Sequence, residues 1–211
     1  KHVTGRAIYT DDISEPRNLL HAAIGFSPVS KGIIEKIDYS EVLNSDGVID
    51  IITEKDIEGQ NDVGPIFKGD KIFTSKKIEY HGQPIFAVIA SSTILARKAL
   101  LKVKLKIKKQ KPIITIEEAI RKKSFVLKSK TIKRGKSNTA ITNSKHRLTG
   151  KLECGGQDHF YLEGQIAMTI PQEDNNFLIY SSTQHPSETQ QIVAKVLNQK
   201  FNSINVKVRR I

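Results

Sequence analysis

The sequence predicts an α+β fold in two folded parts joined by a basic connector, and three observations carry that prediction. Ile85-Phe86-Ala87-Val88-Ile89-Ala90 is a continuous apolar run of strand length, followed by a helical pattern and then by the strict alternation Lys102-Val103-Lys104-Leu105-Lys106-Ile107-Lys108. Lys123 to Gly150 interrupts this order, being basic, rich in Ser and Thr and without a period. Beyond it, Gly155-Gly156-Gln157-Asp158-His159-Phe160-Tyr161-Leu162-Glu163 opens a second series of strands around one helix. With 211 residues, 38% of them hydrophobic and 27% charged, the chain has ordinary globular composition and enough apolar content for a core.

Thr4 to Asp12 reads as a turn, a short strand-like piece and an acidic pair. Asp11 and Asp12 have no further carboxylates near them in sequence, so a solvated turn is expected rather than a metal site. Leu19 to Phe26, between Pro16 and Pro28, has the composition of a buried strand. Gly32 to Asp38 and Val48 to Thr53 are further strands, with a helical turn over Ser40 to Asn44. Glu54 to Gly69 lacks periodicity and is expected to be a surface loop.

Tyr80 to Pro84 turns the chain into the Ile85 strand, which is apolar throughout and so expects cover on both faces. Ser91 and Ser92 can cap the next helix, whose apolar side is expected from Ile94, Leu95, Ala99 and Leu101. The alternating strand after it exposes a lysine face that needs no ligand to explain it. Thr115 and Glu118 have capping-box spacing for a short helix ending near Lys122. In the second part, Ile166 to Ile170 and Phe177 to Tyr180 are strands, Ser187 is a candidate cap for a helix lined by Ile192, Val193, Val196 and Leu197, and the alternation at Ile204, Val206 and Val208 is a last strand.

Charge and composition narrow the classes of function. The net charge of +12 admits nucleic acid, an anionic cofactor or an acidic protein surface as partners. Most of the excess is local, because no acidic residue lies between Ala119 and Leu152 while Arg121 to Lys151 is densely basic. That basic run holds one aromatic, Phe125, too few for the stacking platforms of a single-strand binder, so nucleic acid is not expected as a partner. The connector is expected to be a solvated linker, with docking to an acidic subunit surface as the functional alternative. One cysteine, Cys154, excludes an internal disulfide framework and fits a reducing, cytoplasmic compartment. No apolar run approaches membrane-spanning length, and no Cys/His cluster has the spacing of a zinc or iron–sulfur site. A start at Lys1 rather than Met suggests that the beginning has been trimmed.

The densest concentration of chemistry is the stretch from Gly155 to Glu163, expected between two strand-like runs. Adjacent glycines let backbone approach a bulky ligand where a Cβ would intervene. Gln157 follows with an amide that both donates and accepts, and Asp158, His159 and Glu163 add titratable groups. On residues alone, a tight turn opening an ordinary strand explains the stretch as well as a ligand site does.

Read with Ser181-Ser182-Thr183-Gln184-His185-Pro186-Ser187-Glu188 and Val206-Lys207-Val208-Arg209-Arg210, this stretch resembles the xanthine dehydrogenase and aldehyde oxidase family. Upstream, Thr4 to Asp12 and Gly82 to Ala90 resemble the α/β hammerhead domain of the same family, so the likeness spans essentially the whole chain. The Gln-His-Pro-Ser-Glu continuation is most similar to the molybdenum-binding large subunit of the bacterial xanthine dehydrogenases.

That resemblance implies a hammerhead domain over 1–122, a basic connector over 123–150, and over 151–211 the incomplete start of a molybdopterin-binding domain. It implies a molybdenum hydroxylase that oxidises hypoxanthine and xanthine to urate, with water as the oxygen source and electrons passing through 2Fe–2S and FAD centres, on other domains or a partner subunit, to NAD. An aldehyde oxidase-type hydroxylase is the alternative, and a non-catalytic basic interaction module the alternative from another class. A homodimer of heterodimers is the implied assembly.

Gln157 takes the position of the family's glutamine beside the molybdenum oxo ligand, an indirect contact, with Gly155 and Gly156 as cofactor-binding backbone and His159, Tyr161 and Glu163 as loop support. The family's glycine-rich segment and its base glutamate follow the two arginines and fall beyond these residues, so the isolated piece is expected to be inactive.

Overall fold

The computed structural model describes residues 1–210. In chain order, 3₁₀ turns at His2–Thr4 and Thr10–Asp12 precede β1 (His21–Phe26), β2 (Gly32–Asp38), α1 (Ser40–Leu43), β3 (Val48–Ile52), β4 (Lys77–Ile78), β5 (Pro84–Ala90), α2 (Thr93–Leu100) and β6 (Lys104–Lys109). α3 (Ile116–Arg121), α4 (Ser137–Asn143), β7 (Ala167–Pro171), β8 (Phe177–Ser181), α5 (Pro186–Val196) and β9 (Ile204–Lys207) follow.

The apolar run at Ile85 becomes the central strand that its composition requires. β5 pairs antiparallel with β1 on one side and β3 on the other, and Ile85, Phe86, Ala87, Val88 and Ala90 are all buried. A second sheet has the order β4-β2-β6, with β6 setting Leu105 and Ile107 inward and its lysines outward as the alternation predicts. Ile34, Val42, Ile78, Ile85, Phe86, Val88 and Ala99 form one core between these elements, and Tyr39 meets Phe86 edge-on with ring centroids 5.1 Å apart. Burial, reinforced by the charge of Asp56, pushes the Tyr39 phenol up to about 12.

Several local expectations give way to packing. β1 is not buried throughout: it alternates, with Ala23 and Gly25 inside and Ile24 and Phe26 exposed, because an edge strand covered on one face hides every second residue. Arg6 to Tyr9 form no strand but an irregular stretch between the two 3₁₀ turns; Asp11 is exposed, and Asp12 accepts from the Tyr9 N–H at 2.9 Å. The Ser92 hydroxyl does cap α2, accepting from Leu95 N–H, but Ile94 and Leu101 are 66% and 82% exposed. The buried stripe of α2 is Ala96 and Ala99, flanked by Leu95 and Leu100; small side chains let the helix lie close on Ala23 of β1 and Ala90 of β5. Thr115 caps α3 through the Glu118 N–H at 3.2 Å, as the spacing predicts.

In the third sheet, β7 and β8 are antiparallel while β8 and β9 are parallel, joined through α5. Ile179, Ala194 and Ile204 make its core, and Gln190 Nε2 donates to the Ile204 carbonyl at 2.6 Å. α5 starts at Pro186, whose fixed φ and missing N–H suit the first helical position. Ser187 therefore lies inside the helix and is not its cap. By contacts the chain falls into two compact units: Lys1–Pro112 together with the described residues from Leu162 onward, and Ile113–Tyr161. The second unit is almost entirely exposed and holds α3 and α4. Among the described residues no helix is long and apolar enough to cross a membrane.

Candidate functional site

The Gly155 to Glu163 stretch is not the start of a strand. From Arg147 to Tyr161 the backbone belongs to no helix, strand or turn, and every residue from Gly155 to Leu162 is exposed. Sequence predicted strand-like runs on both sides; only the downstream one, β7, forms. Upstream, Lys145 to Leu152 lacks the alternating apolar pattern that would give a strand a face to bury.

Within the stretch, Asp158 Oδ1 accepts from the Phe160 N–H at 3.3 Å, and Phe160 holds a φ of 50°. A left-handed backbone is uncommon for an aromatic residue, and the bond from its N–H to the Asp158 carboxylate supports it here. A Cβ built on Gly155 or Gly156 would meet nothing within 4 Å, so this backbone is open to a bulky neighbour. Gln157 is exposed, and among the described residues its amide has no hydrogen-bond partner. His159, two residues on, is exposed as well. No group of three or more His, Cys, Asp or Glu side chains that could hold a metal ion is present among the described residues.

Glu163 belongs to the first unit. Its Oε1 accepts from the Thr10 N–H at 2.6 Å, a contact across 153 positions of sequence. A carboxylate on a backbone N–H makes a short, charge-assisted bond.

The other two motifs come together in the third sheet. Lys207 of β9 is in register with Tyr180 of β8. Its Nζ lies 5.9 Å from the Tyr180 ring centroid, and the Arg209 guanidinium carbon 5.4 Å from it. The segments leaving the carboxyl ends of these parallel strands thus carry Thr183, Gln184 and His185 on one side and Arg209 and Arg210 on the other; such ends are where open sheets of this kind receive ligands. Thr183 Oγ1 accepts from the His185 N–H at 3.1 Å, and Ser182 Oγ accepts from Ile166 N–H at 2.9 Å, fixing that segment to β7.

Sequence reasoning missed the loop around Gly59. The Gly59 and Gln60 N–H groups donate to the carbonyls of Val196 and Lys195 at 2.9 and 3.0 Å, capping the last turn of α5. Glu54 to Gly69 is otherwise the largely exposed loop expected, with a 3₁₀ turn at Glu54–Asp56, and its contact with α5 is the part not foreseen. No local signal could have revealed it, because the partner is a helix end far downstream.

Residues 4–111 match the family model for the aldehyde oxidase and xanthine dehydrogenase a/b hammerhead domain, and residues 118–211 match the model for the molybdopterin cofactor-binding domain. The chain belongs to the aldehyde oxidase and xanthine dehydrogenase family. Over its whole length it is 37% identical to aldehyde oxidase 2 of Rattus norvegicus and 35% identical to xanthine dehydrogenase of Dictyostelium discoideum, spanning 16% and 15% of those proteins. Among solved structures, aldehyde oxidoreductase from Desulfovibrio gigas aligns over 98% of this chain and 25% of its own, with a TM-score of 0.85 at 24% identity. Quinoline 2-oxidoreductase from Pseudomonas putida 86 aligns over 100% of this chain and 29% of its own, at 0.83 and 19%. At those identities the solved structures speak for the fold. The α+β chain is a hammerhead domain followed by part of a molybdopterin cofactor-binding domain.

Gln157 fits that cofactor in kind. It is a neutral amide with uncommitted donor and acceptor atoms, carried on glycine backbone that no Cβ obstructs.

Proposed function

We propose that this chain is part of a molybdenum hydroxylase, a xanthine dehydrogenase, in which Gln157 presents its amide to the ligand shell of the molybdenum and Gly155 and Gly156 let the backbone come up to the cofactor. The observation that carries the reading is the unpartnered Gln157 amide within the residues matched to a molybdopterin cofactor-binding domain. When bound, the centre supplies the oxidation by which a water-derived oxygen is inserted at a ring carbon of hypoxanthine or xanthine, its electrons leaving through 2Fe–2S and FAD centres held elsewhere to NAD. The protein's own task at position 157 is to hold a hydrogen bond without changing charge. An amide does this at any pH and through any change of charge on its neighbour, as a carboxylate or imidazole does not. His159 and Tyr161 are assigned to support of the loop. An iron–sulfur and flavin-bearing subunit is the proposed partner, in a homodimer of heterodimers, and the single exposed thiol, Cys154, suits the cytoplasm.

A second reading, an aldehyde oxidase-type hydroxylase, is favoured by the 37% identity to aldehyde oxidase 2. Substrate profiling of the full-length protein separates the two. The proposed reading expects bound molybdopterin and faster oxidation of hypoxanthine or xanthine than of aldehydes, with NAD as acceptor. Preference for an aldehyde selects the second reading, and a full-length protein without molybdopterin overturns both.

A further inference from the structure

Within the first unit, Glu163 makes an uncommon kind of contact, a side chain bonded to backbone far away in sequence. From Arg147 to Tyr161 the backbone has no secondary structure to hold it, yet two residues later Glu163 reaches the Thr10 N–H at 2.6 Å. Thr10 is a firm place to fasten. It is 3% exposed, and its turn is braced by Asp12 Oδ2 on the Tyr9 N–H at 2.9 Å, by Asp12 N–H on the Tyr9 carbonyl and by Ile13 N–H on the Thr10 carbonyl, both at 3.2 Å. A backbone donor also cannot rotate away as a side chain can.

We propose that Glu163 is a positioning residue: through Thr10 it fixes the downstream end of the stretch that bears Gln157, and so limits the poses in which that amide meets the molybdenum. This rests on the reading of Gln157 given above. Glu163 itself touches neither substrate nor cofactor.

The hydrogen bond can be deleted from either partner in the full-length, cofactor-loaded protein. Glu163→Ala removes the acceptor. Thr10→Pro removes the donor at the first position of its 3₁₀ turn, where proline is tolerated. Glu163→Gln keeps a neutral acceptor, and Thr10→Val keeps the N–H while removing a hydroxyl that has no partner. The readouts are molybdopterin content, the electron paramagnetic resonance spectrum of the half-reduced molybdenum, kcat and KM, and hydrogen exchange of the 9–13 segment.

Glu163→Ala and Thr10→Pro are each expected to speed exchange there, broaden or shift the molybdenum spectrum and lower kcat several-fold with a smaller change in KM. The double variant is expected to go no further than the worse single, since both changes delete one bond. Thr10→Val should match wild type, and Glu163→Gln should fall between. An unmoved molybdenum spectrum while exchange rises, or fully additive effects in the double variant, overturns the proposal. If Glu163→Ala does not fold, Glu163→Gln decides: exchange and spectrum must move together, and a spectrum that stays put overturns the proposal. A wild type lacking molybdopterin contradicts the reading of Gln157 and this proposal with it; a loaded wild type with unresponsive variants overturns the proposal alone.

Discussion

The Gly59 N–H donates to the Val196 carbonyl at 2.9 Å, so a loop of the hammerhead domain caps a helix of the cofactor-binding domain. The last carbonyls of a helix have no partner of their own, and α5 obtains two from this loop, Gln60 supplying the second. The approach is too close for any side chain at 59: a Cβ there would lie 1.9 Å from the Lys195 carbonyl oxygen and 2.8 Å from that of Val196.

Gly59→Ala must therefore push the loop off the helix end. Overpacking of this kind costs about 1–3 kcal/mol. In the full-length protein, hydrogen exchange at Leu197 and Gln199, whose N–H groups bond back to Val193 and Ala194, should accelerate by roughly 5- to 150-fold, the factor such a cost implies. Unchanged protection at both would show that the cap holds nothing.

Gly25 and Phe86 make the matching test inside the hammerhead core. They face each other in register across β1 and β5, and a Cβ on Gly25 would sit 2.3 Å from the Phe86 ring. Phe86 is 1% exposed, so Phe86→Ala should cost about 3–5 kcal/mol in denaturant unfolding. Gly25→Ala should cost about 1–3 kcal/mol, and less in a Phe86→Leu background, where the ring is gone. Equal costs in the two backgrounds would contradict the contact.

Much of this core was legible because its signals are local. The apolar run at Ile85 to Ala90 could only be a covered strand, the lysine alternation only a half-buried one, and Ser92 and Thr115 announced their helices. Contacts between distant segments were not legible. Nothing near Gly59 points to α5, nothing near Thr10 points to Glu163, and the burial of Ala96 in place of Ile94 depends on how closely α2 can approach its sheet. The site divides in the same way: the type and order of its residues stand in the sequence, while the absence of regular structure around Gln157 does not.

Asp62 gives a prediction in pH. Its carboxylate accepts from the Gly69 and Gly64 N–H groups at 2.7 and 2.8 Å, and these bonds hold its pKa below the ordinary value, outweighing a small desolvation cost. A carboxyl group depressed on folding stabilises the folded loop above its unfolded pKa of about 3.9, and that contribution is lost as pH falls through the folded value. Exchange or NMR at Gly64 and Gly69 should accordingly show the 62–70 loop closed at neutral pH and opening only below the usual carboxylate range. Asp62→Ala should leave it open at every pH; a wild-type loop that opens between pH 6 and 8 would contradict the assignment.

The central claim is that the Gln157 amide faces the molybdenum's ligand shell, and an experimental structure of the full-length protein with molybdopterin bound measures this most directly. The account predicts a Gln157 side-chain nitrogen or oxygen within hydrogen-bonding distance, about 3 Å, of a non-protein ligand of the metal. A loaded site in which that amide turns away and bonds only to protein would contradict it.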